Sequence, residues 1–276
     1  MTLTPAHDAA ARVPDPVPAR TSSPSPSPGL LRRAACEFGL TVLLLLAVVS
    51  GVRWLFAPDG YGGGSVAFAL LGAGVGVLLA ALMLSAPGRW SGGHLNPAVT
   101  VALWRLGVFP GREVVPYVVA QLGGSVVGTG LAGAVWGAVV ARPPVSHAVV
   151  RPGPGWGEGA ALAAEAGVPA GSALLLAGLL AHPVGRRLLP YAVGLVTALV
   201  IAVLGPLSGG SANPARQFGP ALLSGEAGQL WVYAAGPVLG AVAGAGLCGR
   251  VGVGLRSRAG SLGARLTGPQ VRPPQP

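Results

Sequence analysis

Long apolar stretches separated by short polar connections make up most of this chain. Six of them have about 20 predominantly apolar residues, the length that an α-helix needs to cross a bilayer. Two further apolar stretches, at 98–106 and 215–223, are too short to cross. The pattern therefore predicts an all-α membrane protein with six membrane-spanning helices and two half-helices. The long stretches lie at about residues 37–55, 65–84, 114–140, 160–180, 188–204 and 230–251.

Composition favours a membrane protein over other classes. Of the 276 residues, 51% are hydrophobic and 9% are charged, with a mean hydropathy of +0.64, whereas a soluble domain carries about 25% charged residues. The net charge of +10 comes from arginines spread over the chain ends and short connections, so no basic stripe for nucleic acid is predicted. Acidic residues and histidines are scattered, without the groupings of an enzyme active site, cofactor site or metal site.

The two ends of the chain differ from its apolar middle. Residues 1–34 and 253–276 lack long apolar runs and are rich in Pro, Ser, Gly or Arg, so we predict disordered tails there. Residues 35–252 are predicted to form a single domain in the plasma membrane. Six spans put both tails on one side, and most arginines near the span ends lie on that side. The positive-inside rule therefore predicts that both termini are cytoplasmic.

The apolar middle contains an internal repeat, with halves at about residues 35–140 and 160–252. Each half has three predicted spans, an odd number, so the two halves must have opposite orientations in the membrane. The chain is therefore predicted to be an inverted repeat. The shared features are Glu37 and Asn96-Pro97-Ala98 in the first half, and Glu165 and Asn213-Pro214-Ala215 in the second.

The two Asn-Pro-Ala segments are predicted to start the half-helices. Asn is a strong N-cap residue, and Pro suits the first helical position. In an inverted repeat the two half-helix N-termini meet near the middle of the membrane, where irregular backbone requires a water-filled cavity or surrounding protein. Asn96 and Asn213 could then donate hydrogen bonds to a passing oxygen, and the positive helix ends would repel cations. Arg216, in the first turn of the second half-helix, is predicted to face the same lumen.

These features resemble the aquaporin and glycerol facilitator family, also called major intrinsic proteins, over about residues 35–250. The resemblance implies one pore in each protomer, a homotetramer, and support of the half-helices by Glu37, Glu165 and His94. The residues that carry it are Glu37, Glu165, Ala120-Gln121, both Asn-Pro-Ala segments, Arg216, Trp231-Val232-Tyr233 and Gly236-Pro237.

The resemblance also implies a narrow filter outside the membrane centre. Ungapped counting from the two Asn residues assigns this filter to Gly76, Ile201, Gly210 and Arg216. Strict water channels of the family usually have a bulky aromatic residue at the first position and His at the second, so a wider opening is expected here. Gln217 stands where glycerol facilitators usually have Asp, and Tyr233 is similar to the residue that water channels have at its position. These two residues therefore favour a water channel over a glycerol facilitator.

The sequence-based hypothesis is a passive channel for water and small neutral solutes such as glycerol, which excludes protons and ions. Three alternatives stay open at this point. The chain could be a strict water channel, a coupled secondary transporter, or a membrane protein that has kept the fold without conduction. A transporter normally needs more titratable groups near the membrane centre, and the presence of Asn96, Asn213 and Arg216 argues against loss of conduction.

Overall fold

The computed structural model describes residues 29–250, and this range contains α-helices and short 3₁₀ turns but no β-strand. Six helices within the range are long and apolar enough to cross a membrane. The predicted all-helical membrane fold is therefore confirmed. In chain order the α-helices are α1 (Leu30–Phe56), α2 (Gly64–Leu84), α3 (Ala86–Ser91), α4 (Pro97–Arg105), α5 (Val114–Trp136), α6 (Glu158–Leu180), α7 (Pro183–Leu204), α8 (Pro214–Ser224) and α9 (Leu230–Arg250).

Each predicted span falls on one of the long helices, and the largest difference is at the start of α1. This helix begins at Leu30, so residues 30–34, which we predicted to be part of a disordered tail, are helical instead. Arg33 in this segment pairs with Glu113 at 2.8 Å, a distant partner that local composition could not indicate. The remainder of the two predicted tails, 1–28 and 253–276, lies outside the described residues.

The long helices form three close pairs, namely α1 with α5, α2 with α7, and α6 with α9. Glycines allow the backbones to approach closely in these pairs. A Cβ added at Gly124 of α5 would lie 2.5 Å from the carbonyl oxygen of Phe38 on α1. A Cβ at Gly76 of α2 would lie 2.5 Å from the carbonyl oxygen of Gly194 on α7. Close packing through small residues stabilises helix pairs in lipid, where burial of apolar surface provides little drive for association.

The half-helices α4 and α8 each pack on a long helix from the opposite half of the chain. Helix α4 contacts α9, and helix α8 contacts α5. The side chain of Asn96 caps α4 and that of Asn213 caps α8, and a proline takes the first helical position in both. Because the halves exchange these contacts, they form one unit around a shared central space.

The outer surfaces of the long helices carry large apolar side chains. Val77 on α2 is 73% exposed, and Val119 on α5 and Leu195 on α7 are more than 60% exposed. Such a surface is unfavourable in water but suits contact with lipid or with another apolar protein surface. Buried polar residues instead cluster inside, around the half-helices.

Candidate functional site

The two Asn side chains cap their own half-helices at the centre of the molecule. Asn96 Oδ1 accepts a hydrogen bond from the Ala98 N–H at 2.8 Å, and Asn213 Oδ1 accepts one from the Ala215 N–H at 2.9 Å. These bonds fix the direction of both amide groups. Each Nδ2 is therefore turned away from its own helix and toward the opposite half.

The Asn amides also connect the two halves directly. Asn96 Nδ2 donates to the Ala212 carbonyl at 3.0 Å, and Asn213 Nδ2 donates to the Leu95 carbonyl at 2.9 Å. Leu95 and Ala212 both have a φ of 48°, a left-handed conformation that non-glycine residues rarely adopt. Each Asn NH₂ group has a second N–H donor, and both Asn residues line the central cavity. A permeating oxygen atom can therefore meet two donors fixed in place.

A buried carboxylate supports the loop before each half-helix. Glu37 accepts backbone hydrogen bonds from His94 at 3.0 Å and Leu95 at 2.8 Å. In the other half, Glu165 accepts from Ser211 at 3.0 Å and Ala212 at 2.5 Å. Ionised carboxylates accept several strong hydrogen bonds, so each can hold an irregular loop in place. The resemblance assigned this role to both residues, and the contacts have the same form in the two halves.

His94 belongs to the same buried support in the first half. Its Nδ1 atom lies 3.0 Å from Thr100 Oγ1, and its ring packs against Phe109 and Tyr117. The side chain is enclosed by these partners, and part of it borders the central cavity. These contacts tie His94 to Thr100 in the first turn of α4.

Two tyrosines complete the loop supports, and the sequence analysis did not assign them this role. Tyr117 Oη donates to the Ser91 carbonyl, and Tyr233 Oη donates to the Ser208 carbonyl, both at 2.7 Å. Both tyrosines are fully buried. Their positions in the two halves correspond, with Tyr117 near the start of α5 and Tyr233 near the start of α9. A search for matching polar residues in the internal repeat could have found this pair.

A cavity of about 300 Å³ lies between the two halves. Its wall is mainly aliphatic, with contributions from α1, α2, α6, α7 and α9, both half-helices and the loop at 144–151. Hydrogen-bonding side chains in the wall are few, which suits passage of neutral molecules that carry a small number of hydroxyl groups. The polar side chains in the wall belong to His94, Asn96, Arg151, Ser172, Thr197, Ser211, Asn213 and Arg216.

Three of the four predicted filter residues border this cavity, namely Ile201, Gly210 and Arg216. Arg216 Nη1 donates to the Ala148 carbonyl at 2.6 Å, which ties the guanidinium group to the loop at the cavity wall. Gly210 has a φ of 58°, so a side chain here would strain the backbone as well as narrow the opening. Ile201 supplies an apolar surface from α7.

Gly76, the fourth predicted filter residue, lies elsewhere. It sits where α2 crosses α7, with its Cα facing the backbone of Gly194, and it does not border the cavity. The preceding residue, Val75, is 7% exposed and lines the cavity instead. Gly76 therefore does not contribute to the wall, because it lies in the contact between the α2 and α7 backbones. Phe68, Leu71 and Leu79 of α2 also border the cavity, so these three side chains and Val75 form the α2 side of the wall.

Two further buried polar residues, Gln217 and Ser125, make contacts around α8 that were not predicted from the sequence. Gln217, which is 1% exposed, forms two hydrogen bonds with the backbone of Val150. Ser125 on α5 accepts from the Gly219 N–H at 2.8 Å and donates to the Ala215 carbonyl. Both side chains act on the half-helix that carries Arg216. Spacing in the sequence gave no indication of either contact, because the partners are far apart along the chain.

Among residues 29–250, no group of three or more His, Cys, Asp and Glu side chains could hold a metal ion. The carboxylates with the most contacts, Glu37 and Glu165, are already engaged with backbone N–H groups.

Comparison with known proteins agrees with this geometry. A profile of the family described as "Major intrinsic protein" matches residues 25–247. The probable aquaporin AqpM of Archaeoglobus fulgidus is 42% identical over 186 residues, which cover 64% of this chain and 74% of that protein. Aquaporin NIP3-1 of Oryza sativa subsp. japonica is 35% identical over 81% of this chain and 69% of that protein.

A solved structure shows the same fold. The X-ray structure of the aquaglyceroporin from Plasmodium falciparum aligns with a TM-score of 0.68 over 85% of this chain and 100% of that chain, at 22% sequence identity. The chain belongs to the major intrinsic protein family, since the family profile covers most of its length. It is a membrane channel of the aquaporin class and not an enzyme.

Proposed function

We propose that this channel conducts water together with small neutral solutes such as glycerol, and that it excludes ions and protons. The observation that carries the proposal is the pair of Asn96 and Asn213 amides in a mainly aliphatic cavity with Arg216 in its wall. Amide donors replace part of the hydration of a neutral hydroxyl group. They cannot replace the hydration of a cation, which needs acceptors.

Exclusion of protons and cations follows from the same arrangement. The N-termini of α4 and α8 meet at the two Asn residues, and each helix end has a partial positive charge of about half an elementary charge. Arg216 adds a full positive charge in the same wall. A hydronium ion or metal cation would be repelled by the helix N-termini and by Arg216. A water molecule that accepts hydrogen bonds from both Asn side chains is oriented so that it cannot pass a proton along the file of water molecules.

Passage of small solutes is supported by the composition of the cavity wall. Val75 and Ile201 provide apolar surfaces, Gly210 adds no side chain, and Arg216 provides the donors. A polyol can place its carbon atoms against the aliphatic side and its hydroxyl groups toward the guanidinium group. The aromatic residue and His that the family resemblance associates with strict water channels are absent from Val75 and Ile201.

A strict water channel is the second candidate, and the position of Val75 favours it. The sequence predicted glycine on the α2 side of the wall, whereas Val75 has a side chain that takes up more of the opening. Its three additional carbon atoms narrow the passage. Flux measurements can separate the two candidates.

We further propose a homotetramer in the plasma membrane, with both termini in the cytoplasm. The aliphatic outer faces of α2 and α7 suit contact with another protomer or with lipid. Connections on the side of the chain termini hold Arg89, Arg105, Arg112, Arg186 and Arg187, in line with the positive-inside rule. Native mass spectrometry would test the tetramer, and labelling of single cysteines introduced at 112 and 142 in intact cells would test the orientation.

Stopped-flow light scattering on proteoliposomes tests the permeant range. We expect the wild type to accelerate both water efflux and glycerol entry above empty liposomes, with no increase in proton leak. Arg216→Val should keep water flow and should raise the proton leak, because it removes the positive charge from the wall. Fast water flow without glycerol entry would instead favour the strict water channel, and no flux of either would contradict the proposal.

The wall assignment is tested by narrowing the passage at one wall position on α2 and one on α7. Val75→Phe combined with Ile201→His should lower glycerol entry by about tenfold, because small changes of side-chain size discriminate strongly in a close-fitting passage. Val77→Phe is the matched control, since Val77 is on the same helix but 73% exposed on the outside. Equal glycerol entry in the double variant and the control would show that Val75 and Ile201 do not limit the passage.

A further inference from the structure

The outer loop at 145–150 contributes directly to the channel wall. Val145, Ala148, Val149 and Val150 border the cavity. The carbonyl group of Ala148 accepts the hydrogen bond from Arg216 Nη1 at 2.6 Å. The direction of the guanidinium group therefore depends on where this loop holds the Ala148 carbonyl.

The backbone around that carbonyl has an unusual conformation. Ser146, His147 and Ala148 have φ values of 41°, 54° and 62°, in the left-handed region that is unfavourable for residues other than glycine. Three such residues in succession persist only where neighbouring contacts hold them. The contacts that hold this segment therefore also decide the position of the Arg216 partner.

Backbone hydrogen bonds from His147 to Val140 and from Ala148 to Val145 act within this segment, and its side-chain anchor is Gln217, the residue that follows Arg216. Gln217 Oε1 accepts from the Val150 N–H, and Gln217 Nε2 donates to the Val150 carbonyl, both at 3.0 Å. The side chain is 1% exposed, and Val150 packs with Val232 and Tyr233 behind it. The two bonds use both functional atoms of the amide, so they fix the loop in position and direction.

Arg216 and Gln217 thus contact the same loop at carbonyl groups two residues apart. We propose that Gln217 is a positioning residue that sets the selectivity of the channel, because it holds the loop whose Ala148 carbonyl orients Arg216. The proposal rests on the proposed function insofar as Arg216 belongs to the selective part of the wall. Gln217 itself does not border the cavity, so its effect on permeants passes through Arg216.

A double-mutant cycle tests whether Gln217 acts through Arg216. Gln217→Met keeps the side-chain length and removes both hydrogen bonds. We expect it to raise the ratio of glycerol to water permeability by about threefold or more, and to raise the proton leak, because loss of the pair frees the loop. In the Arg216→Val background, Gln217→Met should change neither the permeability ratio nor the proton leak further, because the guanidinium group through which Gln217 acts has been removed. Equal changes in both backgrounds would overturn the proposal.

A second variant and a control separate positioning from folding. Gln217→Glu keeps an oxygen that can accept from the Val150 N–H, but it replaces the amide NH₂ group, which donates to the Val150 carbonyl, with a second oxygen. This loses one of the two hydrogen bonds, so the permeability ratio should change in the same direction as in Gln217→Met. Ser50→Ala removes a hydrogen-bonding hydroxyl between α1 and Trp136, away from the cavity wall, and should leave the ratio unchanged. An unchanged ratio in folded Gln217 variants would overturn the proposal, and so would failure of both variants to fold.

The same experiment distinguishes an error in the proposed permeants from an error in the proposed role of Gln217. A wild-type channel that passes water but no glycerol would contradict the solute range alone. The cycle can then be evaluated from the proton leak and the water permeability, which do not require glycerol entry. A rise in leak for Gln217→Met that is absent in the Arg216→Val background would still support the positioning role.

Discussion

The two halves of the channel have the same support for their half-helices but different contacts along those helices. In each half a buried Glu accepts two backbone N–H groups, a buried Tyr donates to a loop carbonyl, and an Asn caps the half-helix. Beyond the cap the halves differ. Val99 of α4 stands where α8 has Arg216, each three residues after the Asn. The duplicated part positions the Asn pair, and the part that differs provides the selective group.

The packing of the two half-helices follows the same division. Helix α4 packs Ala98 and Ala102 against Ala173 and Ala241, and its Thr100 hydroxyl contacts His94 and Gln121. Helix α8 has more hydrogen bonds to its surroundings, with Ser125 on α5 and, through its own Gln217, with Val150. Directional hydrogen bonds fix rotation and register better than a smooth alanine surface does. The half that carries a charged residue in the lumen is therefore the half with the more directional contacts.

The largest expected effect concerns the support that both halves share. Glu37→Leu should destabilise the channel by about 3 kcal/mol or more, because it leaves the His94 N–H and Leu95 N–H groups and one bond of Gln121 without a partner, at about 1–3 kcal/mol for each buried group. Glu165→Leu should act in the same direction but less strongly. The Ser208 hydroxyl, which donates to Glu165, can rotate to another acceptor, whereas the Gln121 amide is fixed by Thr100.

Thermal unfolding in detergent, followed by size-exclusion chromatography, measures both variants. Glu158→Gln is the control, since Glu158 is an exposed acidic residue at the start of α6, and exposed substitutions usually change stability by less than about 0.5 kcal/mol. If Glu37→Leu and Glu165→Leu both unfolded like the control, the buried carboxylates would not be the supports of the half-helices.

Of the shared support, the Asn caps were predicted from the sequence and the Glu carboxylates from the family resemblance, whereas the two tyrosines and most of the differences between the halves were not predicted. The long apolar runs and the repeated Asn-Pro-Ala segments are local patterns, so they predict the spans, the half-helices and the Asn pair. The rotation of α2 is not local. It depends on the packing of α2 against α7, where Gly76 meets the Gly194 backbone, and counting along the sequence could not show that Gly76 lies outside the cavity wall. Gln217 and Ser125 were missed for the same reason, since their partners are 67 and 90 residues away.

A smaller change in the free energy of unfolding is expected when the residue that packs on one half-helix is replaced by its counterpart from the other half. Ser125 lies eight residues after Tyr117, and Ala241 lies eight residues after Tyr233, so the two positions correspond. Ala241→Ser should destabilise the channel by about 1–2 kcal/mol, because it buries a hydroxyl group against the alanine contact of α4. Ser125→Ala should cost about 1 kcal/mol or less, since the Gly219 N–H and Ala215 carbonyl are four residues apart in α8 and are each other's partners within the helix.

Unfolding of the two single variants and the double variant measures this exchange. The positions lie in different halves, so we expect their effects on the free energy of unfolding to add. The opposite result would be a larger loss of stability for Ser125→Ala than for Ala241→Ser. It would mean that the native Ser125 hydroxyl stabilises the packing of α8 more than the alanine surface stabilises the packing of α4.

The smallest effect is expected at the ion pairs that precede α5 and α9. Arg33 and Glu113 are 24% and 6% exposed in their side chains, whereas Arg151 and Glu226 are 47% and 41% exposed. Arg151→Gln should therefore cost less than about 1 kcal/mol, as exposed ion pairs do. Arg33→Gln should cost more, because it leaves the buried Glu113 carboxylate without its partner.

The pH dependence of the unfolding temperature shows whether Arg151 and Glu226 stabilise the protein through their charges. The hydrogen bond from Arg151 lowers the pKa of the Glu226 carboxyl below its ordinary value. A lowered pKa in the folded state means that the pair stabilises the protein above the pKa of the unfolded chain and loses this contribution as the pH falls through the folded-state pKa. The difference in unfolding temperature between wild type and Arg151→Gln should thus be present at pH 7 and vanish in acid. A difference that stayed constant with pH would mean that Arg151 stabilises the loop through its aliphatic contacts and not through its charge.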